Sequence, residues 1–109
     1  MDPAYLYRAS LVRVIDGDTY MLAIELGFQV SATLRVRLHG IDCPELSTPA
    51  GLLARDAVST LLRTAKLLLI HSYHDQQSFE RLVCDVSADW VSVAETLIGL
   101  GHVKPKPTL

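Results

Sequence analysis

Residues 35–45 read Arg-Val-Arg-Leu-His-Gly-Ile-Asp-Cys-Pro-Glu, and they predict a strand that ends in an acidic turn. Along residues 30–39 the side chains alternate between two faces, as the period of a strand requires. The apolar face carries Leu34, Val36 and Leu38, and the basic face carries Arg35, Arg37 and His39. Pro44 stiffens the turn and fixes the direction of Glu45. The stretch therefore predicts guanidinium and carboxylate groups at one end of a strand.

A second acidic turn, Asp16-Gly17-Asp18-Thr19, lies between two predicted strands at residues 7–15 and 19–25. Carboxylates hold a hard cation and guanidiniums hold phosphate, so the two turns together suggest phosphodiester chemistry. Taken alone, Asp16-Gly17-Asp18 is more simply interpreted as a turn whose carboxylates cap local amides, and Asp42-Cys43-Pro44-Glu45 as the acidic end of an exposed strand. An EF-hand is excluded, because Tyr20 and Leu22 fall where calcium ligands would be needed.

The remaining pattern predicts a helix, two strands and a second helix. We expect a helix from Thr48-Pro49 to about residue 65, followed by strands at residues 67–73 and 81–86 with a polar loop at Asp75 to Glu80 between them. A second helix is expected to begin with the capping box Ser92-Val93-Ala94-Glu95 and to end at Gly99 and Gly101. Five short strands with a helix after the third favour an α+β fold, a five-stranded OB-type β-barrel with two short α-helices.

Composition limits the possibilities further. A chain of 109 residues forms one domain, which we place at residues 1–103 with an irregular tail at 104–109. The net charge of −2 argues against a strongly basic nucleic-acid binder, so such contacts must come from a local patch. No apolar run has the length of a membrane helix, and the N-terminus lacks the features of a signal peptide, which predicts an intracellular protein without membrane contact.

Several residues have simple structural interpretations. Arg35 and Arg37 could form surface ion pairs of little energetic value. The four histidines have no zinc-ligand spacing. Neither cysteine requires a disulfide, and Cys84 is expected to be a core thiol. Tyr20 and Trp90 are expected to pack rather than to stack on bases.

Together these motifs resemble the staphylococcal nuclease (thermonuclease) family. The resemblance runs from about residue 11 to residue 103. It rests on Val14-Ile15-Asp16-Gly17-Asp18-Thr19, on residues 37–45, on Arg81, and on Val93-Ala94-Glu95-Thr96-Leu97-Ile98-Gly99-Leu100-Gly101. The family consists of calcium-dependent phosphodiesterases on an OB-type barrel that cut single-stranded DNA and RNA. The resemblance thus implies that residues 1–103 are one such domain, acting as a metal-dependent endonuclease.

The resemblance also implies roles for individual residues. Asp18 and Asp42 would ligate Ca²⁺ through their carboxylates, and Cys43 would do so through its backbone carbonyl. Glu45 would be the general base, and Arg37 and Arg81 would bind the scissile phosphate. Asp16 and Thr19 would support the metal ligands.

The sequence departs from the family pattern near Arg81. The loop Asp75-Gln76-Gln77-Ser78-Phe79-Glu80 is longer than usual, with Glu80 where glycine is common. The alternative hypothesis is a nucleic-acid- or protein-binding module on the same barrel without catalysis.

Overall fold

The computed structural model describes residues 5–77 and 82–104, with the side chains of residues 74–77 left aside. Within this part of the chain, the elements are β1 (Leu6–Asp16), β2 (Thr19–Gly27), β3 (Val30–Leu38), α1 (Pro49–Thr64), β4 (Leu68–Gln77), β5 (Leu82–Ala88), β6 (Val91–Ser92) and α2 (Val93–Gly99).

The strands close into a barrel. Antiparallel ladders join β3 to β2, β2 to β1, β1 to β4 and β4 to β5, and a parallel pairing of β3 with β5 completes the ring. That pairing aligns Val36 with Leu82 and Leu38 with Cys84. A five-stranded mixed barrel with two helices is the predicted OB-type α+β fold, which is confirmed.

The barrel interior receives one face of each strand and one face of each helix. Tyr20, Leu22, Val36, Cys84, Val58 and Val93 are fully buried there. The alternation predicted for β3 is confirmed, because Val36 and Leu38 are buried while Arg35 is exposed. Both cysteines are buried free thiols.

Both helices begin at the predicted caps. The Thr48 hydroxyl accepts the Gly51 N–H at 3.0 Å, and Pro49 occupies the first turn of α1. The Ser92 hydroxyl accepts the Glu95 N–H at 3.2 Å, which starts α2. These bonds satisfy amides that have no partner inside a helix. Neither helix in the described part of the chain has the length and apolar character of a membrane span.

Three local predictions differ from the structure. The prediction that a loop begins at Asp75 is wrong, because β4 continues to Gln77. Gln77 pairs with Leu82 of β5. The pairing of β4 with β5 is irregular between Ser72 and Gln77, and it resumes at Gln77. The short strand β6 was not predicted. Tyr20 is buried as expected, but Trp90 is 77% exposed, so the prediction that it packs is wrong.

Candidate active site

The first acidic turn is held by its own backbone and by the loop after β3. An Asp16 carboxylate oxygen accepts the Asp18 N–H at 3.0 Å, which fixes the turn at the end of β1. The two oxygens of Asp18 accept the Thr19 hydroxyl at 3.2 Å and the Cys43 N–H at 2.8 Å. The buried Tyr20 hydroxyl donates to the Gly17 carbonyl at 2.7 Å. The Asp18 carboxylate is therefore fixed from both sides of the site.

Arg37 connects the two acidic turns. Its guanidinium lies 3.2 Å from the Asp18 carboxylate and also forms an ion pair with Asp42. The same group donates to the carbonyls of Leu38 at 3.1 Å and Ile41 at 2.9 Å. Only 18% of the Arg37 side chain is exposed. A guanidinium with this many partners is rigid, as a group that must orient an anion should be.

Glu45 lies in the loop before α1 and pairs with a lysine from the other end of the chain. Lys104 Nζ is 3.0 Å from a Glu45 carboxylate oxygen. The Lys104 backbone N–H donates to the Asp42 carbonyl at 2.7 Å, so the segment after α2 is attached to this loop. The Glu45 carbonyl accepts the Thr48 N–H at 2.9 Å, which fixes its backbone next to the helix cap.

Two glycines allow the turn, the loop and α1 to approach each other. A Cβ on Gly17 would lie 2.8 Å from both Cβ and Sγ of Cys43 and 3.1 Å from Cβ of Ala54 in α1. A Cβ on Gly51 would overlap the Glu45 carbonyl and would lie 2.9 Å from the Pro44 carbonyl oxygen. Glycine is thus required at both positions by space rather than by backbone dihedral angles.

Burial and neighbouring charge shift the ionisation of the site. Burial raises the pKa of Asp18 above its ordinary value, and the Asp16 side chain raises it further, against the opposing effects of the Cys43 N–H and Arg37. Burial together with Asp18 and Asp16 raises the pKa of the Cys43 thiol to about 12. A hydrogen bond from Lys104 to Glu45 raises the pKa of that ammonium group. The site is therefore crowded with negative charge that Arg37 and Lys104 only partly offset.

The donor atoms are suited to a hard cation. Asp18 and Asp42 offer carboxylate oxygens, and the raised pKa of Asp18 indicates a carboxyl that would gain from further positive charge. Among the residues that the structure describes, no three His, Cys, Asp or Glu side chains converge as a metal site would require. A cation held here would use two carboxylates plus carbonyl or water oxygens, and it would compete with Arg37 for Asp18 and Asp42.

Most of the predicted site residues lie together. Asp18, Arg37, Asp42 and Cys43 are joined by direct contacts, and Lys104 links Glu45 to Asp42. Arg81 lies outside the described residues. Sequence reasoning missed Gly51 and Lys104. A glycine in the first turn of a helix, where it costs stability, was a usable signal for Gly51. No sequence signal indicated Lys104, because it was expected in the irregular tail.

Comparison with known proteins finds two similar proteins. The chain is 36% identical over 67 residues to the probable staphylococcal-like nuclease CAN4 of Oryza sativa subsp. japonica, and that stretch is 62% of this chain. A second relative from the same organism, the probable staphylococcal-like nuclease CAN1, is also 36% identical over 67 residues. The resemblance to the staphylococcal nuclease family is confirmed. No family model matches the chain.

The similarity covers only part of the relatives. The aligned stretch amounts to 13% of the length of CAN4 and 20% of the length of CAN1. The staphylococcal-nuclease resemblance therefore concerns one domain-sized piece of larger proteins.

Proposed function

We propose that the protein is a calcium-dependent nuclease that hydrolyses phosphodiester bonds in single-stranded DNA or RNA. The observation that carries this proposal is the contact of Arg37 with both Asp18 and Asp42, beside an exposed Glu45. Carboxylates, a rigid guanidinium and a solvent-accessible carboxylate within one loop cluster are the groups that phosphodiester hydrolysis needs. The names of the two rice relatives support the same chemistry.

In the proposed reaction, a water molecule attacks phosphorus while Glu45 accepts a proton from that water. The P–O bond to the leaving nucleoside breaks, the leaving oxygen takes a proton from solvent water, and Glu45 returns its proton to solvent, which leaves a phosphomonoester and an alcohol. Lys104 supports this role by position, because its Nζ lies 3.0 Å from a Glu45 carboxylate oxygen and its backbone N–H donates to the Asp42 carbonyl, which holds the Glu45 side chain beside Asp42. Arg37 would bind the non-bridging oxygens, where negative charge grows as the water attacks. Arg81 would be the second phosphate ligand.

Asp18, Asp42 and the backbone carbonyl of Cys43 would hold Ca²⁺. Bound there, the ion would supply positive charge to the phosphate oxygens and lower the pKa of a water ligand. Phosphate binding would also require Arg37 to exchange a carboxylate partner for the substrate. The crowded negative charge at Asp18 favours that exchange once a cation is present.

The test is hydrolysis of single-stranded DNA and RNA by the purified protein, with millimolar calcium or with chelator. We expect cleavage with calcium only. We further expect Glu45→Gln to lower kcat by about a hundredfold or more, the usual contribution of a general base. Glu25→Gln is the matched control, because Glu25 is an exposed carboxylate at the far end of β2 and should leave the rate unchanged.

The result that contradicts the proposal is equal absence of cleavage with calcium and with chelator. A loss of calcium binding that matches the loss of rate in Glu45→Gln would instead identify Glu45 as a ligand. Calcium binding is measured separately, by the rise in melting temperature that a ligand of the folded state causes.

The second candidate is a binding module without hydrolysis. It is favoured by one observation, that the Arg37 guanidinium already contacts the carboxylates of both predicted metal ligands in the structure. Such a module would bind single-stranded nucleic acid equally well with and without calcium and would leave it intact.

A further inference from the structure

A groove of about 680 Å³ runs between β1 and α1, outside the candidate active site. Apolar residues such as Leu11, Val14 and Leu62 form part of its lining. Its rim carries three basic side chains, Arg13, Arg63 and Lys66. None of these three forms an ion pair with any carboxylate that the structure describes.

The groove is positive in a chain that is negative overall. Asp56 is an acidic residue on its rim, and Arg55 pairs with it at 3.3 Å. Three uncompensated positive charges therefore line this one surface of a protein whose net charge is −2. Basic residues concentrated in this way attract polyanions.

A bulge in β1 turns Arg13 outward. Leu11 pairs with Leu22 and Arg13 pairs with Met21, so Val12 is an extra residue in the ladder. Without the bulge, strict alternation after the inward Leu11 would point residue 13 at the barrel interior. With it, Arg13 is exposed and Val14 returns to the packed side. Bulges commonly re-aim side chains beside functional sites.

The groove leads away from the acidic turn. At one end, Val14 precedes Asp16 by two residues, and Gly17 packs against Ala54 of α1. At the other end, Ala9 pairs with Leu68 at the start of β4. The span from Ala9 to Val14 is roughly 17 Å at the usual rise per strand residue. A chain leaving the candidate site can therefore continue along this groove.

An exposed aromatic residue lies next to the far end. The Asp89 carboxylate accepts the backbone N–H groups of Lys66 and Leu67 at 2.9 Å each, so the β5–β6 turn is attached to the groove's end. Trp90 follows in that turn, 77% exposed and with a φ of 72°. Such a φ is unfavourable for a bulky residue and indicates a constrained, outward-facing indole.

We propose that this β1–α1 groove binds the backbone of single-stranded nucleic acid beyond the cleavage site, with Trp90 stacking on a base at its far end. The inference rests on the proposed function for the identity of the polyanion. Arg13, Arg63 and Lys66 contact phosphates, and these contacts carry no base specificity. Stacking on Trp90 tolerates any sequence, because every base has a π-face.

Binding in chelator, where no hydrolysis occurs, tests the groove separately from catalysis. The probe is a labelled single-stranded oligonucleotide of about 16 nucleotides, the upper range of OB-fold site sizes. For the combined variant Arg13→Gln/Arg63→Gln/Lys66→Gln, we expect the slope of log K against log salt to fall by about 2, from three contacts of about 0.7 each. Arg35→Gln is the control, since Arg35 is exposed on β3, two strands away from β1.

Trp90 provides a second and independent readout, because it is the single tryptophan of the chain. Its fluorescence should be quenched when the oligonucleotide binds. Trp90→Ala should weaken binding about tenfold, within the range measured for stacked bases. Phe28→Ala is the matched control, because Phe28 is a fully exposed aromatic residue at the β2–β3 hairpin.

If the combined variant binds the oligonucleotide unchanged and still hydrolyses it, the proposed role of the groove is contradicted and the proposed nuclease activity is not. Groove-dependent binding by a protein that cleaves nothing would support the groove and contradict the nuclease. Competition by polyglutamate as efficient as that by unlabelled oligonucleotide would also overturn the inference, since the groove would then suit an acidic polypeptide.

Discussion

The two halves of the candidate site differ in how their side chains are held. At the barrel ends, the Asp18 and Arg37 side chains are only 11% and 18% exposed, and each has several fixed partners. In the loop, the Asp42 and Glu45 side chains are 70% and 73% exposed, and their described side-chain contacts are with Arg37 and Lys104. The barrel half is therefore built into the fold, whereas the loop half is positioned by charge. Changes in the first should affect stability and activity together, and changes in the second should affect activity alone.

The largest expected difference separates Asp18→Ala from Asp42→Ala. Asp18→Ala leaves the buried Cys43 N–H without its acceptor and removes one of the two carboxylate partners of Arg37, so the free energy of unfolding should fall by about 2–3 kcal/mol. Asp42→Ala removes one exposed partner and should cost less than about 1 kcal/mol. Both variants should lose calcium-dependent hydrolysis. Urea denaturation and a cleavage assay measure the two effects.

Asp18→Asn serves as the control for this comparison. The amide keeps an acceptor for the Cys43 N–H, and it removes a charge that burial disfavours. We expect its stability to remain near that of the unchanged protein while hydrolysis is lost. Equal destabilisation by Asp18→Ala and Asp42→Ala would show that the two halves are held alike.

Gly51→Ala tests whether the helix fixes the loop half. The added methyl group would meet the Glu45 carbonyl and the Pro44 carbonyl, both backbone atoms that cannot turn aside. The loop must therefore shift, with an expected loss of about 1–3 kcal/mol of stability and a fall in kcat. Gly99→Ala in α2 is the control, because no atom lies within 4 Å of its added Cβ. A stable and active Gly51→Ala would show that the loop adapts freely.

The chain predicts the barrel half of the site better than the loop half. The period of two along β3 placed Arg37 opposite the core residues, and the Asp16-Gly17-Asp18 pattern placed the first turn, because both depend on local backbone geometry. The ion pair of Glu45 with Lys104 joins residues separated by 59 positions, and only the closed barrel brings them together. The exposure of Trp90 was not predicted for the same reason. It depends on a turn attached to the α1–β4 connection rather than on the neighbours of Trp90 in sequence.

Lys104→Met should have a smaller effect, confined to activity. It removes the cation that holds Glu45, so kcat should fall several-fold with little change in stability, as for an exposed ion pair. Lys104→Arg should restore most of the rate. High salt should bring the unchanged protein toward the rate of Lys104→Met, because screening weakens this pair. A rate that is equal in all three proteins would show that Glu45 needs no positioning.

The smallest effect concerns how often each half opens. The thiols of Cys43, in the loop, and Cys84, in β5, both have a pKa raised to about 12 by burial. From an ordinary value of 9.0, this lowers the reactive thiolate near pH 8 by about a thousandfold. The folded state holds these protons more tightly, so the contribution of the two thiols to stability is constant below pH 9 and is lost as the pH rises toward 12.

Alkylation at pH 8 of the single-cysteine variants Cys84→Ala and Cys43→Ala therefore reports opening of each region. Cys43 should react faster, because movement of the loop alone exposes it, whereas Cys84 requires the barrel strands to separate. Urea should accelerate both reactions to the same rate, that of the unfolded chain. If Cys43 reacts only as fast as Cys84 without urea, the loop opens only when the barrel unfolds, and the two halves of the site form one cooperative unit.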